Sequence, residues 1–312
     1  MNKFVITGAS GFLGKKLVDK LLSEGNEVWA VVRNPKAFEN CSNPLLHNVI
    51  CELKNLEDLP KLVQGNPTHF IHLAWDGSTG ARRADYKVQL QNVEFSLSAV
   101  LAAHQLGCKR FIGAGTLAEL DAINYIPLDG SHPNLVSQYA SAKITSHFMT
   151  KSLCNDLQID HVWPYISNTF GPGNFTGNFV NFAICEFIKK GKGEFTPGEQ
   201  FYDFVYFEDT VQGLIKVAEH GKSNFSYYIG SNSPRRLKEY ILDIRDQINP
   251  GIDVKLGAFP FNGVSHPQEV FSCSKIMEDT GYKPLINFKE GLSNTIPWVI
   301  DNLINRNGDK KI

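Results

Sequence analysis

Lys3 to Gly14 reads KFVITGASGFLG. Phe4, Val5 and Ile6 form an apolar run with β-branched members, as in a parallel strand buried on both faces. Thr7 and Gly8 end that run, and glycines stand at positions 8, 11 and 14. In the following segment Phe12, Leu13, Leu17, Val18, Leu21 and Leu22 recur at helical spacing, and Gly25 closes it as a C-cap. The order is therefore strand, glycine turn, helix. A turn without Cβ atoms lets a diphosphate approach the backbone, and a helix N-terminus offers N–H groups at the positive end of its dipole. A third glycine lets helix and strand pack closely. The stretch predicts a dinucleotide-binding turn in a doubly wound α/β fold.

Working outward, the 312 residues suffice for one large or two modest domains. A composition of 42% hydrophobic and 20% charged residues is that of a globular chain. The net charge of −1 creates no field favouring nucleic acid or an anionic membrane. No apolar run approaches a membrane span, and the N-terminus passes straight into a strand rather than a signal peptide. Six cysteines, at 41, 51, 108, 154, 185 and 273, form no CxxC pair and no metal-ligand spacing. They read as reduced thiols in a cytoplasmic protein without a metal, where the sequons at Asn174 and Asn224 carry no meaning. Asn305 to Ile312 reads as a frayed tail.

Glu27 to Val32, EVWAVV, is the second strand, with Arg33 and Asn34 directly after it. In a doubly wound fold this strand end meets the adenosine ribose, where a carboxylate bonds both hydroxyls. Arg33 suits a 2′-phosphate, since a guanidinium pairs with phosphate through two donors. NADP(H) is thus favoured, with NAD(H) as the alternative if Arg33 is only a solvated loop residue. His47 to Ile50 reads as the third strand, Leu56 to Val63 as a short helix, and Thr68 to Leu73 as the fourth strand, in which His72 is a packed residue. Asp76 to Arg83, DGSTGARR, is a polar loop at a strand C-terminal end, where open α/β sheets place ligands. Arg82 and Arg83 there either meet a substrate phosphate or stand in solvent.

Tyr86 to Leu106 is a long helix carrying Asn92, and Lys109 to Ile112 begins the fifth strand. Thr116 follows in a small-residue turn, GAGTLAEL. Ser137 to Lys143, SQYASAK, opens a further helix, and Tyr139 and Lys143, four apart, share its face. An ammonium beside a tyrosine stabilises the phenolate and lowers its pKa. With the Thr116 hydroxyl on the same substrate oxygen, these three residues make a proton-transfer site for an alcohol/ketone pair.

Over nearly its whole length the chain resembles the extended short-chain dehydrogenase/reductases, the NAD-dependent epimerase/dehydratase family. TGASGFLG resembles their cofactor turn, and HLAW, His72 to Trp75, resembles their HLAA element. WPYISNTFGPG, Trp163 to Gly173, resembles R-x-x-N-x-Y-G-P-G. Asn168 and Gly171-Pro172-Gly173 match, Tyr165 stands where arginine is usual, and Phe170 replaces the tyrosine. QFYDFVYFEDT, Gln200 to Thr210, resembles R-D-F-V-Y-V-D-D. Asp203 and Asp209 match, while Tyr202 replaces an arginine that commonly meets the nucleotide phosphates. Lys283-Pro284 and the helix Phe288 to Leu303 resemble the family's closing elements.

The resemblance implies a Rossmann domain at 1–169 plus 209–221 and a substrate domain at 170–208 plus 222–312. It implies a cofactor seat of Gly8, Ser10, Gly11, Phe12, Leu13 and Gly14, with Arg33, Glu52 and Leu53 at the adenosine end. Leu73, Ala74, Trp75, Asn92, Tyr139, Lys143 and Tyr165 would line the remainder. Thr116, Asn168, Asn178, Tyr202 and Arg235 would meet a nucleoside-diphosphate sugar. Tyr139 would be the acid/base for hydride transfer at C4, with Lys143 lowering its pKa and holding the nicotinamide ribose. Relatives that dehydrate dTDP-glucose carry Thr-Asp-Glu where this chain has Thr116-Leu117-Ala118, with Glu119 one residue late. A 4-keto-sugar reductase is therefore favoured, ahead of a 4-epimerase or 4-dehydrogenase with tightly held NAD. A non-catalytic NADP-binding regulator on the same fold is the reading of another class. The helices starting near Tyr86 and Tyr139 would pair across a two-fold axis into a homodimer.

Overall fold

A computed structural model describes residues 1–125, 129 and 133–305. The tail beyond residue 305, read above as frayed, lies outside the described residues. The chain divides into two compact units. The first comprises Met1–Ile166, Val211–Ile229 and Lys275–Tyr282; the second comprises Ser167–Thr210, Gly230–Ser274 and Lys283–Ile312.

The first unit is built on a parallel sheet of β1 (Lys3–Thr7), β2 (Glu27–Val32), β3 (Leu46–Ile50), β4 (His69–His72), β5 (Arg110–Gly113), β6 (Gly115–Thr116), β7 (Asp160–Ile166) and β8 (Phe225–Ile229). The order is β8-β7-β5-β4-β1-β2-β3, with the two-residue β6 pairing β7 off that path. The chain reverses its direction of travel across the sheet at β1, which lies between β2 and β4. Such a switch point opens a crevice at the strands' C-terminal ends. Phe4, Val5 and Ile6 are fully buried, as a strand covered on both faces requires. Trp29, Phe70, Phe111 and the alanine-rich face of the helix Tyr86–Gln105 form the core on one side. That helix packs along the helix Ser137–Asp156.

The strand Phe225–Ile229 was expected in the smaller unit, but it continues the large sheet, with Tyr227 opposite Pro164 and Tyr228 opposite Tyr165. Burial of Tyr227 and Ile229 explains its docking there. Asp279 fastens it further, accepting from the Tyr227 hydroxyl at 2.9 Å and pairing with Lys222 at 2.5 Å.

The second unit uses short pairings. Asn168–Phe170 pairs in parallel with Phe204–Tyr206, and Lys192–Phe195 with Asp253–Leu256. In sequence, Pro234 to Ile248 reads as containing a helix opened by Arg235 and Arg236; these two instead form a two-residue antiparallel strand against Phe201–Tyr202, and the helix begins at Leu237. Phe204, Tyr240 and Phe288 pack edge to face or tilted within 4.7–5.6 Å. The two aspartates that match the family segment tie backbone. Asp203 accepts from the N–H and the hydroxyl of Ser231, and Asp209 from the N–H groups of Leu285 and Ile286. Among the described residues no helix is long and apolar enough to cross a membrane.

Candidate active site

The glycine turn has the expected form. Gly8 takes φ +71, and a Cβ there would lie 2.8 Å from the Ala74 nitrogen. A Cβ on Gly14 would lie 2.1 Å from the Gly8 carbonyl oxygen, so helix and strand meet at a distance only glycine permits. Gly11 is the N-cap of the helix Phe12–Ser23, supplies no capping side chain, and no acidic residue occupies the first turn. No carboxylate competes there with an anion. Ser10 and Gly11 are exposed, and Phe12 and Leu13 half-buried. These features fit a dinucleotide diphosphate.

Beyond the end of β2, Arg33, Ile50, Cys51, Glu52, Asn55, Asp58, Lys61 and Leu62 line a cavity of about 480 Å³. Its two carboxylates each have a lysine partner, Glu52 with Lys54 at 2.9 Å and Asp58 with Lys61 at 2.6 Å. Lys54, and more weakly Arg33, hold the Glu52 carboxyl below its ordinary range. Leu53 turns away and packs on the core.

β4 runs out through half-buried Leu73, Ala74 and Trp75. His72 is packed, as expected: its Nδ1 pairs with the Thr7 hydroxyl at 2.8 Å, and burial, with Lys143 nearby, pushes its pKa down to about 3. The next loop is held by two buried side chains of the Tyr86–Gln105 helix. Asn92 accepts from the Asp76 N–H at 2.9 Å and donates to the Asp76 carbonyl at 2.7 Å. Gln89 accepts from the Trp75 indole and donates to the Gly77 and Arg82 carbonyls.

Tyr139, Lys143 and Thr116 come together, but not in the expected electrostatic arrangement. Thr116 lies by the Tyr139 hydroxyl and favours its ionised form. Lys143 Nζ donates to the Ala114 carbonyl at 2.7 Å and lies 3.8 Å from the centre of the Trp75 ring. It stands 6.0 Å from the Tyr139 ring centre, whereas the Arg83 guanidinium lies at 4.2 Å. Burial pushes the Tyr139 hydroxyl up from its ordinary range, against the lowering effects of Arg83 and Thr116. Burial also brings the Lys143 amine down to about 7, with Glu119 opposing. The expectation that Lys143 lowers the tyrosine's pKa is thus corrected: both groups are desolvated, and the cation nearest the phenol is Arg83.

Glu119 is 1% exposed and fully engaged. It accepts from the Thr116 N–H at 2.9 Å and the Trp163 indole at 3.2 Å, and lies 3.6 Å from His147 Nδ1. His147 stacks on Trp163 at 4.7 Å, and the Tyr165 hydroxyl meets His147 Nδ1 at 3.5 Å. Sequence reasoning gave no role to Gln89, His147 or Trp163; their signal was a polar or aromatic residue on an otherwise apolar face.

The remaining substrate candidates belong to the second unit. Asn168 donates to the Asp203 carbonyl at 3.3 Å, and Asn178 caps the helix Phe179–Lys190 by accepting from Asn181 N–H at 3.1 Å. Tyr202 is paired in register with Arg235. Arg235 stacks on Tyr240 at 4.3 Å and pairs with Asp243 at 2.8 Å, beside a cavity of about 390 Å³ that Lys289 also lines.

A parallel sheet with its switch point beside a glycine turn, and a buried tyrosine with a threonine and a lysine close by, define a dehydrogenase-type site on a Rossmann fold. The chain belongs to the NAD dependent epimerase/dehydratase family, whose model matches residues 4–230, and it is an enzyme of the extended short-chain dehydrogenase/reductase type. It is 24% identical to the CDP-abequose synthase of Salmonella typhimurium over 299 residues, 92% of this chain and 95% of that one. It is 22% identical to the dTDP-D-glucose 4,6-dehydratase of Bos taurus, over 99% of this chain and 92% of that one. Among solved structures it resembles a UDP-N-acetylglucosamine 4-epimerase from Methanobrevibacter ruminantium in complex with UDP-N-acetylmuramic acid. That likeness has a TM-score of 0.77 at 24% identity, covering 96% of this chain and 99% of the other.

Proposed function

We propose that the protein is an NADP(H)-dependent reductase of a nucleoside-diphosphate 4-keto sugar. The observation that carries this reading is the buried Tyr139, with Thr116 beside its hydroxyl and Lys143 on the same helix. The nicotinamide, when bound, supplies hydride to the sugar carbon. Thr116 hydrogen-bonds the carbonyl oxygen, and Tyr139 gives its proton to that oxygen as negative charge develops on it. Lys143 holds the nicotinamide ribose, and Gly8, Gly11 and Gly14 seat the diphosphate. The names of the relatives, which include a CDP-sugar and a dTDP-sugar enzyme, support a nucleotide-linked substrate. Asn168, Asn178, Tyr202 and Arg235 are the candidates to hold it.

Two features support reduction, the first over dehydration and the second over a 4-epimerase or 4-dehydrogenase with tightly held NAD. Leu117 and Ala118 supply no acid or base after Thr116, and Glu119 is committed to Thr116 and Trp163. Arg33 stands at a cavity whose carboxylates have lysine partners, which leaves its charge for a 2′-phosphate. NADPH should therefore bind about ten-fold or more tightly than NADH, a difference that Arg33→Ala removes. Calorimetric titration of both cofactors checks this; equal affinities in the wild type count against NADP. The reaction is tested by following NADPH consumption with 4-keto sugars linked to CDP, dTDP, UDP or GDP. Tyr139→Phe should lower turnover about 100-fold or more while cofactor binding persists; near-native turnover in that variant excludes Tyr139 from the chemistry.

The protein is also proposed to be a cytoplasmic homodimer. Tyr86, Leu90 and Leu101 are exposed on one of the paired helices, Phe148 and Met149 on the other, an apolar face suited to a two-fold four-helix contact. A monomer mass by light scattering at micromolar concentration counts against it.

A further inference from the structure

We propose that Arg83 is a positioning residue of the proton-transfer site, laid on the ring face of Tyr139 to orient the ring and favour its phenolate. This rests on the reading of Tyr139 as the acid/base. Of the two adjacent arginines, Arg82 is drawn off by Asp76 at 2.5 Å. Arg83 turns inward from the short turn Ala81–Ala84, which Gln89 pins through the Arg82 carbonyl at 2.9 Å and the Gly77 carbonyl at 3.1 Å. Its guanidinium carbon stands 4.2 Å from the Tyr139 ring centre, within cation–π range. Its Nη1 donates to the Ser78 carbonyl at 3.3 Å, while Nε is buried without a hydrogen-bond partner. A buried donor left unpaired is costly, so the ring contact must outweigh more exposed positions for this side chain.

The charges facing Tyr139 come from three elements. Arg83 approaches from its turn, Glu119 from the helix Ala118–Tyr125, and Lys143 from Tyr139's own helix at 6.0 Å. Glu119 opposes the phenolate, and Lys143 is engaged with Ala114 and Trp75. Arg83 and the Thr116 hydroxyl are the groups that favour it. The Trp75 indole, T-shaped to the phenol at 5.9 Å, packs against the ring as well.

The test is NMR of protein labelled at the tyrosine Cζ carbon, with the Tyr139 resonance assigned by its loss in Tyr139→Phe. In Arg83→Gln, and in Arg83→Met if the first variant folds poorly, Tyr139 should titrate about one pH unit higher than in the wild type. That shift lowers the phenolate fraction about tenfold at a given pH. Arg83→Lys should recover part of the shift, and the pH–rate profile should move in step. A Tyr139 resonance that titrates at the same pH with and without the guanidinium, or in neither protein, overturns the proposal. The titration needs no substrate. Full turnover by Tyr139→Phe would therefore reject the acid/base reading separately, while the resonance still reports on Arg83.

Discussion

Lys143→Met should stabilise the protein near neutral pH while abolishing its activity. The amine is 5% exposed, and folding brings its pKa from 10.5 down to about 7. That difference of 3.5, at about 1.36 kcal/mol per unit, makes the buried charge cost up to about 5 kcal/mol at pH 7 and below. Methionine removes the charge and keeps an apolar stem of similar length. The loss sets against this the hydrogen bond to Ala114, worth about 1.5–3 kcal/mol for a charged donor, and the contact with Trp75, worth about 1–2 kcal/mol. The variant should thus gain roughly 0–2.5 kcal/mol at its best. The sign with pH follows from proton counts. Between pH 7 and 10.5 the unfolded wild type holds a proton at Lys143 that the folded chain does not, so wild-type stability rises with pH in that window. Below pH 7 both states hold it, and the dependence vanishes. The advantage of Lys143→Met should therefore be largest at or below neutrality and fade, then reverse, as the pH climbs by about two units. Urea unfolding of both proteins at matched pH values measures it. A difference between the two that does not change with pH would refute burial of the amine as its cause.

Gly14→Ala places a methyl group 2.1 Å from the Gly8 carbonyl oxygen, so backbone must move; it should cost about 1–3 kcal/mol in urea unfolding and lose measurable cofactor binding by calorimetry. Glu119→Ala leaves the Thr116 and Trp163 N–H groups unpaired and should cost about 2–5 kcal/mol by the same unfolding assay. Glu119→Gln, which keeps one acceptor oxygen, should recover part of that loss, and an unchanged Glu119→Ala midpoint would count against the network.

Much of the larger unit was legible because its signals are local. An apolar run followed by glycines at fixed spacing dictates strand, turn and helix without reference to the rest of the chain. The fit at Gly14, where no Cβ can enter, is the reason that spacing carries information. The strand Phe225–Ile229 was harder to assign. Nothing in FSYYI says which sheet it joins; its place depends on Tyr227 finding Pro164 as a neighbour and Asp279 as a partner, both distant in sequence. Arg235 and Arg236 carry the same lesson. Two basic residues before an apolar period read as a helix start, but pairing with Phe201 and Tyr202 holds them extended.

The site divides in the same way. The i,i+4 spacing of Tyr139 and Lys143 is a property of the helix and was readable. The direction in which the lysine points is not, because it is set by the Ala114 carbonyl and the Trp75 ring, which other strands deliver. Arg83 could be seen in sequence only as one of two loop arginines. What separates it from Arg82 is Asp76, which draws the first guanidinium away and leaves the second to turn inward over the phenol. After burial, the group that bears most on the Tyr139 hydroxyl is therefore Arg83, on a loop held by Gln89 and Asn92, and not the lysine of the helix motif. Substitutions in that loop should shift the pH dependence of an enzyme of this family even where the tyrosine and lysine are untouched.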